Sequence, residues 1–206
     1  MVFIKICGIT NLEDALAAVE AGADALGFNF YARSPRYIAP EAARQIVEQL
    51  PKIVMSVGVF VNEDLAQVER IADEVGLKGV QLHGDESVKY ASALRGRFVI
   101  KALRVREGFN PQSVSEYQTD AILLDAFAKE ARGGTGRVID WTIAREVSNF
   151  CPKLFLAGGL SPENISDAIA AVHPFAVDAC SSLESAPGRK DAERVREFIK
   201  AARVKP

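Results

Sequence analysis

The side chain best suited to acid–base chemistry near the start of the chain is Cys7, which follows Lys5 by two residues in a short apolar segment. If that segment is a β-strand, residues two apart face the same side, so the ammonium would lie beside the thiol. A neighbouring positive charge favours the thiolate, which can act as a base. Free cysteine is also often a small buried residue, and the pattern alone leaves that interpretation open.

Asp125 is the second candidate, because it directly follows the apolar segment Ala121–Leu124. A partly desolvated carboxyl group at such a position keeps its proton more readily and can serve as a general acid. A carboxylate that caps a helix or fixes a loop would fit the same pattern, so this alternative stays open.

Two loop segments, Gly158-Gly159 and Ser181-Ser182, favour a phosphate site because each follows a predicted strand. Bare N–H groups in such turns bind phosphate, and α/β barrels commonly use the loops after strands seven and eight for this purpose. Two tight turns without a ligand are the alternative. His83 is a further candidate for the site, although a loop histidine is more often hydrogen-bonded to backbone.

The framework that must position these residues is predicted by eight apolar segments that alternate with segments of helical periodicity. The eight predicted strands are Val2–Ile6, Ala25–Phe28, Ile53–Val59, Gly79–Leu82, Phe98–Ala102, Ala121–Leu124, Leu154–Ala157 and Phe175–Val177. The economical interpretation is an α/β fold, a single (β/α)8 TIM barrel that occupies residues 1–206 as one catalytic domain. An open, doubly wound sheet is the alternative on pattern alone.

Helical stripes and end signals support this alternation. Apolar residues recur at steps of three and four in Leu12–Val19, Ile46–Leu50, Leu65–Val75 and Val195–Ala202. Asn62 and Ser161 are typical of helix starts, whereas Gly22 and Gly76 are typical of helix ends. The segment Pro111–Gln118, between strands five and six, is short and polar and predicts the weakest helix.

Polar residues are concentrated after the predicted strands and are sparse before them. In a barrel, the carboxyl ends of the strands carry the chemistry, so this asymmetry is the best physical indication of an active site. The glycine-rich segment Arg132–Gly136 follows strand six, and we interpret it as a mobile active-site loop.

Composition excludes several classes of protein. The formal net charge of −2 disfavours nucleic acid as a partner. No apolar stretch is long enough to span a bilayer, and the segment Met1–Cys7 turns polar too soon for a secretory signal, so we expect a cytoplasmic protein without membrane contact. Two histidines and three widely spaced cysteines disfavour a zinc site or a disulfide framework.

The motifs, taken in order, closely resemble those of the phosphoribosylanthranilate isomerase family of tryptophan biosynthesis. They extend from residue 5 to residue 191 and are specific as a set rather than singly. The matching segments are Lys5-Ile6-Cys7-Gly8-Ile9-Thr10, Ser34-Pro35-Arg36, Val57-Gly58-Val59-Phe60, Gln81-Leu82-His83-Gly84, Leu124-Asp125, Gly133-Gly134-Thr135-Gly136, Asp140-Trp141, Leu156-Ala157-Gly158-Gly159-Leu160-Ser161-Pro162-Glu163-Asn164, Val177-Asp178, Ser181, Glu184 and Pro187-Gly188-Arg189-Lys190-Asp191.

The resemblance implies an Amadori rearrangement of N-(5-phosphoribosyl)anthranilate to 1-(2-carboxyphenylamino)-1-deoxyribulose 5-phosphate, without a metal or organic cofactor. By the family pattern, Asp125 is the general acid that protonates the furanose ring oxygen. Cys7 is the general base that then removes a proton from the adjacent sugar carbon.

The resemblance also implies the binding residues. Arg36 would pair with the anthranilate carboxylate, for which a planar guanidinium is well shaped. Asp178 would bind a sugar hydroxyl, and His83 would contact the substrate. Backbone at Gly158-Gly159 and around Ser181-Ser182 would hold the phosphate.

One segment departs from the family pattern. After Val177-Asp178 the family usually reads Val-Ser-Ser-Gly, whereas this chain reads Ala179-Cys180-Ser181-Ser182. Without that glycine, a left-handed backbone conformation in this loop is disfavoured. Because the phosphate contacts would be mainly backbone N–H groups, we expect binding to be retained, with Cys180 as an additional thiol near the site.

Other functions remain open at this point. A related indole-glycerol-phosphate synthase would need several catalytic lysines and glutamates, whereas Lys5 and Lys101 are the only strand lysines in suitable positions. A metal-dependent epimerase would need more histidines. A sugar-phosphate sensor without turnover and a related aminoaldose substrate are further alternatives. An apolar patch at one end of the barrel would allow a homodimer.

Overall fold

The computed structural model describes residues 1–94, 96–126, 141–151 and 153–204. The predicted loop Arg132–Gly136 and Asp140 lie outside these residues. Eight parallel strands form one closed barrel in the order of the chain, which confirms the TIM barrel and excludes the open sheet. The strands are β1 Phe3–Cys7, β2 Ala25–Asn29, β3 Met55–Phe60, β4 Gly79–Leu82, β5 Phe98–Val105, β6 Ala121–Ala126, β7 Leu154–Leu156 and β8 Ala176–Ala179.

Helices connect the strands and cover the outside of the barrel. The α-helices are α1 Leu12–Ala21, α2 Pro40–Val47, α3 Leu65–Val75, α4 Val88–Ala93, α5 Trp141–Val147, α6 Ile165–Val172 and α7 Ala192–Arg203. The connection between β5 and β6 is only a 3-10 helix, Pro111–Glu116, as its short polar sequence predicts. After β8 come a 3-10 turn, Ser181–Leu183, and a small hairpin formed by β9 Glu184–Ala186 and β10 Arg189–Lys190.

The predicted stripe on α7 is confirmed, since Val195, Phe198, Ile199 and Ala202 are all buried. On α1 the prediction is wrong at Leu16, which is 44% exposed. The same stripe is confirmed at Ala15, which is fully buried together with Ala18, and these small side chains let the helix lie close against its neighbours.

At the starts of helices and strands, three predicted boundaries are wrong by two residues or more. The third strand begins at Met55 rather than Ile53, and Ile53 is 91% exposed. Asp64, not Asn62, caps α3, because its carboxylate accepts from the backbone N–H two residues later. Helix α6 begins at Ile165 after a turn at residues 162–164, three residues later than the Ser-Pro-Glu signal predicts. The predicted helix ends at Gly22 and Gly76 are confirmed, both with left-handed backbone.

Strand periodicity determines what points into the barrel. A cluster of small and apolar side chains fills the barrel interior toward the amino ends of the strands. It includes Ala121 and Leu123 from β6 and Ala176 from β8. Phe3 packs against this cluster from β1. Because residues two apart share a face, the next inward positions toward the carboxyl end are Lys5 and Cys7 on β1, Asp125 on β6 and Asp178 on β8.

Candidate active site

The centre of the candidate site is a buried ion pair between β1 and β8. Lys5 pairs directly with Asp178 in the strand register, and its ammonium donates to both carboxylate oxygens at 2.9 Å. Lys5 is fully buried and Asp178 is 8% exposed. Cys7 ends the same strand on the same face, so the sequence-based placement of Lys5 beside the thiol is confirmed.

Burial and the neighbouring charges raise the pKa values of both members of this ion pair. Burial alone would lower the pKa of Lys5, but the attraction of Asp178 and Cys7 is larger, so the pKa is raised. Burial, together with the negative charge of Cys7, raises the pKa of Asp178 to about 7, although Lys5 opposes this. Lys5 is therefore a permanent cation between two groups that can carry negative charge.

The pKa of the Cys7 thiol lies well below its ordinary value. The largest cause is a hydrogen bond from Cys180; burial opposes it, and the positive charges of Lys5 and Lys190 add to it. These contacts therefore favour the thiolate form of Cys7 over the thiol. Sequence reasoning identified the contribution of Lys5 and missed that of Cys180.

Asp125 lies at the end of β6, is 6% exposed and points into the barrel at the same end as Cys7. The Nε2 atom of His83 lies 3.3 Å from its Oδ2 atom, without the alignment of a hydrogen bond. The other ring nitrogen of His83 is 2.8 Å from the side-chain amide of Gln81. His83 is thus held by a side chain rather than by backbone, and it faces the candidate acid.

Arg36, in the loop after β2, is held by a partner that the sequence analysis did not assign. Its Nε donates to both carboxylate oxygens of Glu184, at 2.8 and 3.1 Å, and its Nη2 donates to one of them at 2.8 Å. The Glu184 side chain is 4% exposed and also accepts from Lys190 at 3.0 Å. This pairing fixes the plane of the guanidinium and leaves its Nη1 atom to bind an incoming anion.

The predicted phosphate loops lie side by side. Gly158 and Gly159 are consecutive residues with positive φ, of 83° and 69°, which other residues adopt with strain. The hydroxyl of Ser182 donates to the carbonyl of Leu160, which ties the two loops together. Ser182 itself has no positive φ, so loss of the family glycine at this position imposes no left-handed strain.

A second buried ion pair supports the loop that carries His83. Lys101 on β5 donates to Glu86 at 2.6 Å and to the carbonyl of Gly84 at 3.0 Å. Glu86 in turn accepts from the backbone of Gly84 and of Asn62. The pair was not foreseen, since the sequence shows Lys101 as a strand lysine without indicating its partner.

Metal and membrane features can be assessed in the described ranges. There, no group of three or more histidine, cysteine, aspartate or glutamate side chains is arranged to hold a metal ion. In the same ranges, every helix is too short or too polar to cross a membrane.

Comparison with known proteins decides the family. A family model described as N-(5'-phosphoribosyl)anthranilate isomerase matches residues 4–201. The chain belongs to this family. A phosphoribosylanthranilate isomerase from Pelobacter propionicus is 50% identical over 203 residues, which cover 98% of this chain and 96% of that protein.

Solved structures of family members agree. A phosphoribosylanthranilate isomerase in complex with reduced 1-(o-carboxyphenylamino)-1-deoxyribulose 5-phosphate has a TM-score of 0.89 and 45% identity, over 98% of both chains. Mutually generated monomers of the dimeric isomerase from Thermotoga maritima also give a TM-score of 0.89, with 43% identity over 98% of both chains. As a member of this family, the chain is an aldose–ketose isomerase of tryptophan biosynthesis.

Proposed function

We propose that this chain isomerises N-(5'-phosphoribosyl)anthranilate with Cys7 as the general base and Asp125 as the general acid. One observation carries the assignment: both side chains point inward at the same end of the barrel, from strands β1 and β6 on different sides. A base and an acid so placed can act on two sides of one small sugar.

The first proposed step belongs to Asp125. Its carboxyl group gives a proton to the furanose ring oxygen, the bond from that oxygen to C1 breaks, and the anthranilate nitrogen lone pair forms a C1=N bond. The position of Asp125 supports this role, since its carboxyl group is buried at the carboxyl end of β6 with His83 beside it.

The second proposed step belongs to Cys7. The thiolate takes the proton from C2, the bonding electrons form a C1=C2 bond, and the pair of the C=N bond returns to nitrogen. The resulting enolamine becomes the ketone by tautomerisation. Only protons pass between the enzyme and the substrate in these steps, and the other bonds rearrange within the substrate, so the proposal includes no metal or organic cofactor. The lowered pKa of Cys7 supports the role, because the thiolate is the form that accepts a proton.

The remaining residues bind the substrate in this proposal. Arg36 uses its Nη1 atom on the anthranilate carboxylate, with the rest of its guanidinium held by Glu184. Asp178 accepts from a sugar hydroxyl through lone pairs that Lys5 leaves free. His83 contacts the sugar beside Asp125. The backbone of Gly158, Gly159, Ser181 and Ser182 holds the phosphate.

The experiment compares Cys7→Ala and Asp125→Ala with wild type by following the loss of phosphoribosylanthranilate fluorescence. Each variant should lower kcat by about two to four orders of magnitude, the usual effect of removing an acid or base. Both should still bind the reduced product analogue. Cys151→Ala is the matched control, because that thiol donates to the Val147 carbonyl at the end of α5, on the outside of the barrel.

Wild-type turnover in either variant would remove the assignment of that residue. Retained turnover in both would remove the mechanism while leaving the family assignment intact. A chain that binds the analogue but has no turnover in its wild-type form would instead be the sensor considered above.

We also propose that the chain forms a homodimer through the amino-terminal end of the barrel. Ile53 there is 91% exposed and Phe175 is 42% exposed. A cavity of about 630 Å³ lies at this end, lined by Met1, Phe3 and Phe175 among others. Exposed apolar side chains beside a cavity favour association, and the relative from Thermotoga maritima is described as dimeric.

Light scattering during gel filtration tests the dimer. Wild type should have twice the mass of the chain, and Ile53→Asp should have the mass of one chain with turnover retained. A wild-type monomer at micromolar concentration would contradict the proposal.

We further propose that the enzyme acts in the cytoplasm on a small-molecule substrate, without nucleic acid or membrane as a partner.

A further inference from the structure

Cys180 is the residue that directly follows β8, and Cys7 is the last residue of the neighbouring strand β1. The register pairs Lys5 with Asp178 and Ile6 with Ala179, so one further step along β1 and β8 brings Cys7 beside Cys180. The two inward side chains below them already meet as the Lys5–Asp178 ion pair. The two thiols lie close enough for each to shift the pKa of the other. The sulfur of Cys180 also lies 3.9 Å from a carboxylate oxygen of Glu184, a second group to which its thiol can donate.

The sulfur of Cys180 is closely confined. A Cβ atom placed on Gly8 would lie 2.8 Å from it, so only glycine at position 8 leaves room for this side chain. Lys190 contacts it from the hairpin, with its ammonium 3.9 Å from the sulfur and 3.1 Å from the Cys180 carbonyl. The same ammonium donates to Glu184, which fixes its position.

We propose that Cys180 is a positioning residue for Cys7: its thiol donates a hydrogen bond to the Cys7 sulfur, and Lys190 holds that thiol in place. The inference deepens the proposed function, because it names what stabilises the thiolate that acts as the base. It concerns a position at which this chain departs from the usual family sequence, which has serine there. A serine hydroxyl can donate in the same way, so the substitution keeps a donor at this place.

The direction of both pKa shifts agrees with this arrangement. The hydrogen bond from Cys180 is the largest cause that lowers the pKa of Cys7, and the bond to Cys7 is the largest that raises the pKa of Cys180. The thiol that donates keeps its proton, and the thiol that accepts loses it. The charged groups that face the pair are Lys5, Arg36, Asp178, Glu184 and Lys190, with Asp125 acting on Asp178.

The test measures the pH dependence of Cys7 alkylation by iodoacetamide in the full chain, with labelled peptides quantified by mass spectrometry. Cys180→Ala should raise the midpoint by about one to two pH units, the effect of removing one hydrogen bond to a charged group. Cys180→Ser should stay within about half a unit of wild type, since it restores a donor. Cys151→Ala is the control and should leave the midpoint unchanged.

Turnover provides the second readout. The acidic limb of the pH profile of kcat/KM should move upward with Cys180→Ala by the same amount as the alkylation midpoint, and it should return with Cys180→Ser. A purely structural role would lower thermal stability in both variants without separating them in this profile.

Lys190→Met covers the case in which Cys180→Ala does not fold. It leaves both thiols in place but removes the contact that confines Cys180, together with a positive charge that lowers the pKa of Cys7 directly, so the midpoint should again rise. An unchanged midpoint in Cys180→Ala and Lys190→Met, or equal shifts in Cys180→Ala and Cys180→Ser, would overturn the proposal. Alkylation needs no turnover, so this result stands apart from failure of the proposed catalytic role of Cys7.

Discussion

Removal of Glu86 should destabilise the protein strongly, because it would leave the ammonium of Lys101 buried without its partner. Their side chains are 2% and 1% exposed and lie 2.6 Å apart. Breaking a buried ion pair from one side typically costs about 3–5 kcal/mol. Glu86 also accepts the N–H groups of Gly84 and Asn62, which places Glu86→Ala toward the upper end of that range. The midpoint of thermal unfolding should fall by about 6–20 °C for a chain of this size.

A matched control exists on the surface. Arg70 and Glu74 are 3.0 Å apart, but their side chains are 58% and 37% exposed. Glu74→Ala should therefore lower the free energy of unfolding by no more than about 0.5 kcal/mol. Urea unfolding followed by circular dichroism measures both changes in the same way, so burial is the main difference between the two pairs.

The double variant Lys101→Met/Glu86→Ala completes the test. It removes the uncompensated charge, so it should be more stable than Glu86→Ala alone, and the two changes should not be additive. A loss below about 1 kcal/mol in Glu86→Ala, or a double variant less stable than the single one, would refute the reasoning. Turnover should also fall in Glu86→Ala, because the pair fixes the loop that carries His83.

Three further outcomes are expected. Arg36→Lys should raise KM by about tenfold or more with little change in kcat, measured by the fluorescence assay. The reason is that a lysine cannot bind Glu184 and a second carboxylate in one plane. A change in thermal stability alone would favour a structural role for Arg36. Gly159→Ala should weaken inhibition by inorganic phosphate about tenfold, measured by steady-state kinetics. The φ of 69° at this position costs a residue with a Cβ about 1–2 kcal/mol, so the loop should change its conformation. Unchanged inhibition would show that the phosphate does not bind at this loop. Iodoacetamide at pH 7 should label Cys7 well before Cys151, since the pKa of Cys7 is lowered and burial raises the pKa of Cys151 to about 11. The labelling rate of Cys151 should rise only as the pH becomes alkaline. Equal labelling rates at pH 7 would contradict the thiolate form of Cys7.

The strands were predictable because their signal is local. Buried parallel strands are short apolar runs, and each predicted strand overlaps the observed one and begins within two residues of it. Helix starts were less predictable, because several capping residues stand close together. At the start of α3, Asn62 adopts a left-handed conformation with φ of 52° and binds the loop after β4, while Asp64 supplies the cap.

Sequence patterns could predict which residues of the candidate site lie at the strand ends, but not which side chains contact one another there. The positions of Cys7 and Asp125 follow from the rule that barrel chemistry lies at the carboxyl ends of the strands. The partners of Arg36 and Cys7 do not follow from it, because Glu184 and Cys180 are far away in sequence. Only closure of the barrel and the register of β1 against β8 bring them together.

The central claim is that one thiol and one carboxyl group flank a single bound sugar. A crystal structure of this chain with reduced 1-(o-carboxyphenylamino)-1-deoxyribulose 5-phosphate, the compound present in the related complex, measures this directly. The sulfur of Cys7 should lie about 3–4 Å from C2 of the ligand, and the carboxyl group of Asp125 about 3 Å from the oxygen on C4, on the other side of the sugar. A ligand bound with either group more than about 6 Å from its atom, or with both on the same side of the sugar, would contradict the account.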